Sequence, residues 1–183
     1  QDLDRHLRVL LLDAQPERAA KLELALESAG CSIVHRARGL SQHTDVHASA
    51  IHVQPDLVVV DVDLPTSALF EDLRSVTDAW PTVMFVTKSD SESIRSAVGS
   101  GIAAYVVKEV HIHQVRPVLA EALARFHALR SLKSELEKTR SHLADRKVVE
   151  RAKGIVMARR RMSEDEAYRW LRSAAMNRGM RLV

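Results

Sequence analysis

The sequence is poor in aromatic residues and cysteine, and it has no long apolar segment. Phe, Trp and Tyr make up 4% of its 183 residues, so a core must consist mainly of Val, Leu, Ile and Ala. The single Cys31 excludes an internal disulfide framework and fits a reducing cytoplasm. No apolar run approaches the roughly 20 residues of a membrane-spanning helix, and no signal peptide is visible. These absences favour a globular, cytoplasmic protein.

Signatures of catalysis are also missing. We find no Ser-His-Asp constellation, no Gly-rich phosphate loop and no nucleotide-binding motif in the sequence. We therefore expect that the protein is not an enzyme.

The charge is distributed unevenly. The formal net charge is +3, but residues 145–183 carry +6 and the preceding 144 residues carry −3. A concentrated positive charge is the usual electrostatic footprint of nucleic-acid binding, although a solvated basic helix face gives the same count. The two parts of the chain are therefore expected to have different partners.

Apolar runs and helical patterns alternate along the first 110 residues. Nearly continuous apolar runs predict strands buried on both faces of a parallel sheet. The runs lie at residues 8–12, 31–34, 56–60, 82–86 and 103–107. The intervening segments have helical periodicity, and Pro16 opens the first of them. This alternation predicts a doubly wound α/β domain with a five-stranded parallel sheet.

Polar residues follow four of the predicted strands. Asp13, Asp61 and Thr87 end the first, third and fourth strands, and Lys108 follows the fifth. Ligands of open parallel sheets bind beyond the carboxyl ends of the strands, where the strand order reverses. One such residue alone could simply mark an exit to solvent, but four at equivalent ends favour a common site.

These residues resemble the receiver domain of response regulators, which has a flavodoxin-like fold. The resemblance rests on LLLD at Asp13, PDLVVVDVDLP at Asp61, VMFVTKSD at Thr87 and AAYVVK at Lys108. It extends over about residues 7–125, and we assign residues 1–125 to this domain. It implies that Asp61 is the phosphoacceptor, that Thr87 contacts the phosphoryl group and that Lys108 offsets its charge. Asp13 and Asp61 would hold Mg²⁺.

Two positions depart from the receiver pattern. Ala14 stands where receivers have a second acid, which removes one anionic ligand for Mg²⁺. Glu109 replaces the proline that usually follows the lysine, and a non-proline cis bond costs about 3 kcal/mol, so we expect a trans peptide there. We predict a pseudo-receiver that is poorly phosphorylated or not phosphorylated, with no cofactor beyond weak Mg²⁺ binding.

Residues 126–146 are predicted to form a coiled-coil linker helix. A helix starting near Ile112 would contain Pro117 just past its first turn, where we expect some distortion. Apolar positions then recur with 3-4-3-4 spacing over two heptads, weakened by one threonine. They are Leu129, Leu132, Leu136, Thr139 and Leu143. The helix either packs on its own receiver domain or, as we favour, forms a parallel or antiparallel homodimer.

The basic segment 147–183 contains two predicted helices. Val149, Ala152 and Val156 form an apolar stripe, and Arg151 and Lys153 are predicted to lie off it. A capping box at Ser163 and Glu166 starts a second helix, which runs from Glu164 to about Asn177 with Ala167, Trp170, Leu171 and Ala174 inside. ERAKGIVM, SEDEAYRWLR and AAMNR are similar to the ANTAR domain, an all-helical RNA-binding module of antiterminators. That domain continues into a third helix, so we expect this one to be C-terminally incomplete.

The receiver-like part, including VHIHQVRPVLAEALARF, looks most like the NasT branch of nitrate-responsive antiterminators, with AmiR more distant. The resemblance implies binding to a hairpin of nascent leader RNA, control of nitrate or nitrite assimilation genes, and sequestration by a ligand-sensing protein that resembles a nitrate-binding protein. RNA loops are read through splayed bases and backbone contacts. The candidate RNA-binding residues are Arg151, Ala152, Lys153, Gly154, Arg172 and Arg178.

Three other readings stay open from the sequence. The protein could be a response regulator switched by phosphorylation of Asp61. It could bind DNA, although the tail lacks the tight Gly-containing turn of a helix-turn-helix. It could also be a protein–protein adaptor whose basic tail is only a solvated surface.

Overall fold

The computed structural model describes residues 6–13, 16–38, 46–107, 111–180 and 182. The chain forms two compact units, unit 1 (residues 1–128) and unit 2 (residues 129–183). Our sequence-based domain limits at 125 and 146 remain predictions.

Unit 1 contains a five-stranded sheet in which every neighbouring pair of strands is parallel. The strand order is β2-β1-β3-β4-β5. The strands are β1 Leu7–Asp13, β2 Cys31–Arg38, β3 Leu57–Val62, β4 Thr82–Val86 and β5 Ala104–Val107. The predicted doubly wound fold is therefore confirmed, and each apolar run of the sequence falls in a strand with at most one residue outside it.

Six helices connect or follow these strands in the part of the chain that the structure describes. They are α1 Pro16–Ser28, α2 Val46–Val53, α3 Ser67–Ala79, α4 Ser91–Gly99, α5 Ile112–Arg160 and α6 Glu164–Asn177. Pro16 is the first residue of α1, as predicted, where its missing N–H costs no helical hydrogen bond. Side chains cap α3 and α4: Thr66 Oγ1 accepts from the N–H of Leu69, and an Asp90 carboxylate oxygen accepts from the N–H of Ser93.

Each face of the sheet packs against helices through its own apolar core. Leu7, Val9 and Leu11 of β1 belong to the core that includes residues of α1 and the start of α5. Leu10 and Leu12 belong to the opposite core, with residues of α2, α3 and α4. This alternation follows from the pleat, which points successive side chains to opposite faces.

The pairing of β1 with β2 contains a register shift. Val9 pairs with Ile33 but Leu10 pairs with His35, so Val34 has no counterpart on β1. An extra residue in one strand reverses the alternation of the side chains that follow it. Cys31 accordingly lies in the α1-side core and Ala37 in the opposite core, although both have odd numbers.

Helix α5 is 49 residues long and continues through Pro117. Its first part is buried in unit 1 through Val115, Leu119 and Ala122. The leucines of the predicted coiled-coil stripe are all exposed, between 51% for Leu129 and 61% for Leu132. None of the helices in the described ranges is both long and apolar enough to span a membrane.

Unit 2 comprises the rest of α5, together with α6. Helix α6 begins and ends where the sequence predicts. Within the described part of this unit, only Lys153 and Ala167 are buried. Trp170, Leu171 and Ala174 are half-buried, on the face of α6 that the sequence assigns to the inside.

Candidate functional site

The pairing of β1 with β3 places Asp13 directly beside Asp61 at the carboxyl edge of the sheet. Both residues are nearly inaccessible, at 2% and 4% exposure. The two strand-end acids that the sequence singled out are therefore brought together. Their proposed roles in phosphate and Mg²⁺ chemistry remain predictions.

Thr87 follows β4 and is exposed at the same edge. Its hydroxyl donates to Oδ1 of Asp63 at 2.9 Å, and the backbone carbonyl of Asp63 accepts from the N–H of Lys88 at 2.9 Å. The Thr87 side chain is thus bonded to the loop after β3. Ala14, Lys108 and Glu109 lie outside the described residues, so the predicted lysine and the predicted trans peptide are not located.

An arginine that our sequence analysis did not identify contacts the pocket. Nε of Arg36 donates to Oδ2 of Asp13 at 2.5 Å, and Nη1 donates to Oε1 of Glu23 on α1 at 2.8 Å. The hydrogen bond to Asp13 is the main reason that the pKa of Arg36 is raised above its ordinary value, and the charges of Asp13 and Glu23 add to it. Arg36 is therefore a fixed cation between two acids.

The described residues of this pocket do not fit Mg²⁺ as they stand. Mg²⁺ requires near-octahedral oxygen ligands, and it is usually held by one or two carboxylates and several waters. Oδ2 of Asp13 is already bonded to a guanidinium. Among the residues that the structure describes, there is no group of three His, Cys, Asp or Glu side chains that could hold a metal ion.

Unit 2 contains a second set of polar contacts, at the junction between α5 and α6. The predicted capping box is confirmed: Ser163 Oγ accepts from the N–H of Glu166, and Glu166 Oε2 accepts from the N–H of Ser163. The hydrogen bond from the Ser163 backbone lowers the pKa of Glu166. These bonds fix the start of α6 by satisfying donors that a helix end leaves without partners.

Lys153 contradicts the prediction that it lies off the apolar stripe. The residue is only 8% exposed, and its amine is held by two carboxylates. Its Nζ lies 2.8 Å from Oε1 of Glu150 on α5 and 2.6 Å from Oε1 of Glu164 on α6. These hydrogen bonds raise the pKa of Lys153 and lower that of Glu164. The Lys153 ammonium, which we predicted to bind RNA, therefore links α5 to α6.

The other candidate RNA-binding residues lie on both helices, except Arg178, which directly follows α6. Arg151, Gly154, Arg172 and Arg178 are exposed, whereas Ala152 is half-buried. A Cβ added at Gly154 would meet no atom within 4 Å, so this part of α5 is open to a close approach. The guanidinium of Arg160 lies 4.2 Å from the ring centroid of Trp170, which is within the range of a cation–π contact.

Both units of the chain match known proteins. The ANTAR domain family model matches residues 137–183. The transcriptional regulatory protein PdtaR of Mycobacterium tuberculosis is 31% identical over 181 residues, which is 97% of this chain and 87% of that protein. The chain belongs to the ANTAR-domain response regulators.

Solved structures show that unit 1 has the receiver fold. The receiver domain of a modulated diguanylate cyclase from Desulfovibrio desulfuricans G20 matches with a TM-score of 0.56 and 19% identity, over 68% of this chain and 98% of that one. The receiver domain of the response regulator NarL from Mycobacterium tuberculosis matches with a TM-score of 0.54 and 15% identity, over 66% and 98%. As an ANTAR-domain response regulator the chain is a regulatory protein, like the relative PdtaR.

Proposed function

We propose that this response regulator is a transcription antiterminator that binds a hairpin of nascent leader RNA through unit 2. The observation that carries this proposal is the charge of +6 over residues 145–183, on the segment that matches the ANTAR domain. Exposed arginines lie on both helices of that segment, with Arg151 on α5 and Arg172 on α6. Such side chains contact phosphates and give a binding free energy that depends on salt.

The test compares an RNA hairpin with duplex DNA at the same salt concentration, using the full chain and fluorescence anisotropy. Changing Arg151→Ala and Arg172→Ala together is expected to weaken RNA binding and to reduce the salt slope by about one for each lost phosphate contact. Arg140→Ala, on the exposed coil part of α5, is the charge-matched control and should change little. Preference for the duplex would favour a DNA-binding regulator, and unaltered binding by the double variant would favour an adaptor.

We further propose that the active form is a homodimer joined along α5. Leu129, Leu132, Leu136 and Leu143 recur at heptad spacing and are all more than half exposed. Leucines at the a and d positions of two such helices bury each other in a coiled coil. Changing Leu132→Asp and Leu136→Asp should convert the dimer to a monomer in analytical ultracentrifugation, whereas a monomeric parent protein would contradict the proposal.

Control by a protein partner is the part of the proposal that rests most directly on the resemblance to the NasT branch. We propose that a ligand-sensing protein sequesters the regulator in the cytoplasm and releases it to control nitrate or nitrite assimilation genes. The ion pair on Asp13 supports this over a phosphate switch, since the guanidinium already occupies Oδ2 of one of the two expected metal ligands. Co-purification from the source cell with and without nitrate identifies the partner and the bound RNA together.

Phosphorylation of Asp61 is the rival mechanism, and it is tested separately. The full chain is incubated with Mg²⁺ and a small phosphodonor, and its intact mass is measured. We expect no phosphate adduct. A single adduct that is lost in Asp61→Asn and that changes the affinity for RNA would establish the phosphate switch instead.

A further inference from the structure

The receiver pocket contains a cation that the chain itself supplies. Asp13 is 2% exposed, and its Oδ2 accepts a hydrogen bond from Arg36 at 2.5 Å. The same guanidinium donates to Glu23 on α1 at 2.8 Å. The guanidinium, which extends from β2, is therefore held between an acid of β1 and an acid of α1.

The register shift at Val34 explains why the arginine points into the pocket. Before the shift, Cys31 lies on the α1 side of the sheet; after it, Ala37 lies on the opposite side. Arg36 pairs with Leu11 of β1, and Leu11 also belongs to the α1-side core. With regular alternation from Cys31, position 36 would face away from α1. The irregularity therefore turns this side chain towards Asp13 and Glu23.

A divalent cation and this guanidinium compete for the same carboxylate. Mg²⁺ binds carboxylate oxygens at about 2.0–2.1 Å and holds its remaining ligands in a rigid octahedron. A Mg²⁺ ion on Asp13 would lie within a few ångströms of the Arg36 charge, and the two cations would repel each other strongly in a buried site. The residue at position 14 is alanine, so it supplies no negative charge that would offset this repulsion.

We propose that the Arg36 guanidinium takes the place of the divalent cation in this pocket and closes it to Mg²⁺. The alanine at position 14 removes one metal ligand that receivers usually have, and the ion pair with Arg36 blocks Asp13, which would be another. This inference does not depend on RNA binding or on the partner protein. It predicts that restoring the second acid is not enough to restore the metal site.

The experiment measures Mg²⁺ and Mn²⁺ binding to the full chain by isothermal titration calorimetry. The wild type should show no saturable site at millimolar metal, and Ala14→Asp should bind the ion only weakly. Ala14→Asp combined with Arg36→Gln should bind one ion at least about tenfold more tightly than Ala14→Asp alone, the scale of effect that neighbours of metal ligands commonly have. Adding Asp13→Asn to that double variant should abolish the gain.

Two control variants in the Ala14→Asp background test whether the positive charge at position 36 is what closes the pocket. Arg36→Lys retains the positive charge and should keep the pocket closed, whereas His35→Gln changes the exposed neighbouring residue and should leave binding as in Ala14→Asp alone. The proposal is overturned if Ala14→Asp binds metal as tightly as its combination with Arg36→Gln, or if that folded combination binds none.

A measurement on the wild type keeps the proposal testable even if Arg36→Gln does not fold. Mn²⁺ broadens the NMR signals of nuclei close to it, so the amides of Leu12, Asp13 and Asp61 report on the pocket directly. We expect these signals to persist at millimolar Mn²⁺. Their selective loss would show that the ion enters despite Arg36, and would overturn the proposal.

Discussion

In unit 1 most apolar side chains on both faces of the sheet are buried, whereas half of the apolar side chains in the described part of unit 2 are exposed. The strands β3 and β4 are buried at every position. In the described part of unit 2, Ala167 is the one fully buried apolar residue, and Ile155, Tyr168 and Met176 are exposed by 51%, 43% and 70%. Unit 1 is therefore stabilised mainly by its cores, and unit 2 depends more on polar contacts.

This difference indicates what each unit needs from other molecules. A unit with two closed cores needs no other molecule to bury most of its apolar side chains, and its pocket can change chemistry while the fold persists. A helical pair with few buried apolar residues gains stability when a partner covers its exposed side chains. The proposed dimer along α5 and the proposed RNA both contact unit 2, which fits this need.

The largest expected effect is a cavity in the core of unit 1. Leu11 is completely buried, and Leu11→Ala should lower the free energy of unfolding by about 2–5 kcal/mol. Leu132, which is 61% exposed on α5, is the matched control, and Leu132→Ala should change the unfolding of unit 1 by less than about 0.5 kcal/mol. Urea unfolding followed by Trp80 fluorescence, in a Trp170→Phe background, checks both. A similar loss for both leucines would contradict the contrast between the units.

The next effect concerns the ion pair of the pocket. Arg36→Gln leaves the buried Asp13 carboxylate without its cation, and because Arg36 is 23% exposed we expect a loss of only about 1–3 kcal/mol in the stability of unit 1. His35→Gln, on the exposed neighbouring residue, should be close to neutral. The Trp80 unfolding assay measures both variants. An equal effect of the two substitutions would mean that the pair does not stabilise the fold.

A smaller effect is expected from Lys153, which distinguishes stability from RNA binding in unit 2. Lys153→Met removes the link between Glu150 and Glu164, so the melting temperature of unit 2 should fall. Arg151→Met, two positions away and exposed, should leave melting unchanged and weaken RNA binding. Trp170 fluorescence in a Trp80→Phe background follows unit 2 alone. Unchanged melting of Lys153→Met would show that the ion pairs contribute nothing measurable.

Much of unit 1 could be predicted because its signals are local. Apolar runs identified the five strands, and parallel strands bring their carboxyl ends together, so the proximity of Asp13 and Asp61 followed from the sequence. Arg36 could not be found in this way. Its direction depends on the register shift at Val34, and the segment CSIVHRAR has no alternation that reveals an extra residue.

The prediction for Lys153 was wrong for a different reason. A lysine is almost always exposed unless it is paired, so a stripe drawn through Val149, Ala152 and Val156 leaves it outside. Its burial requires Glu164, eleven residues further along and on another helix. Helix periodicity describes one helix at a time, whereas this contact arises only when α6 meets α5. The capping box was predictable because Ser163 and Glu166 belong to the same turn.

The smallest expected effect is the pH dependence of unit 2, which follows from the signs of its pKa shifts. The pKa values of Glu164 and Glu166 are lowered from an ordinary value of 4.5, so their contribution is present above pH 4.5 and is lost as the pH falls through the lowered values. The pKa of Lys153 is raised from 10.5, so its contribution is complete below pH 10.5 and is lost as the pH rises through the raised value.

Thermal melting of unit 2, followed by Trp170 in the Trp80→Phe background, should therefore decrease at both ends of the pH range. Lys153→Met separates the contributions. It should reduce the alkaline decrease, because the titrating amine is gone, and it should leave the part of the acid decrease that belongs to Glu166, whose capping box does not involve Lys153. An alkaline decrease of the same size in Lys153→Met would assign it to other groups, and polar contacts at this junction would then explain less of the difference between the two units.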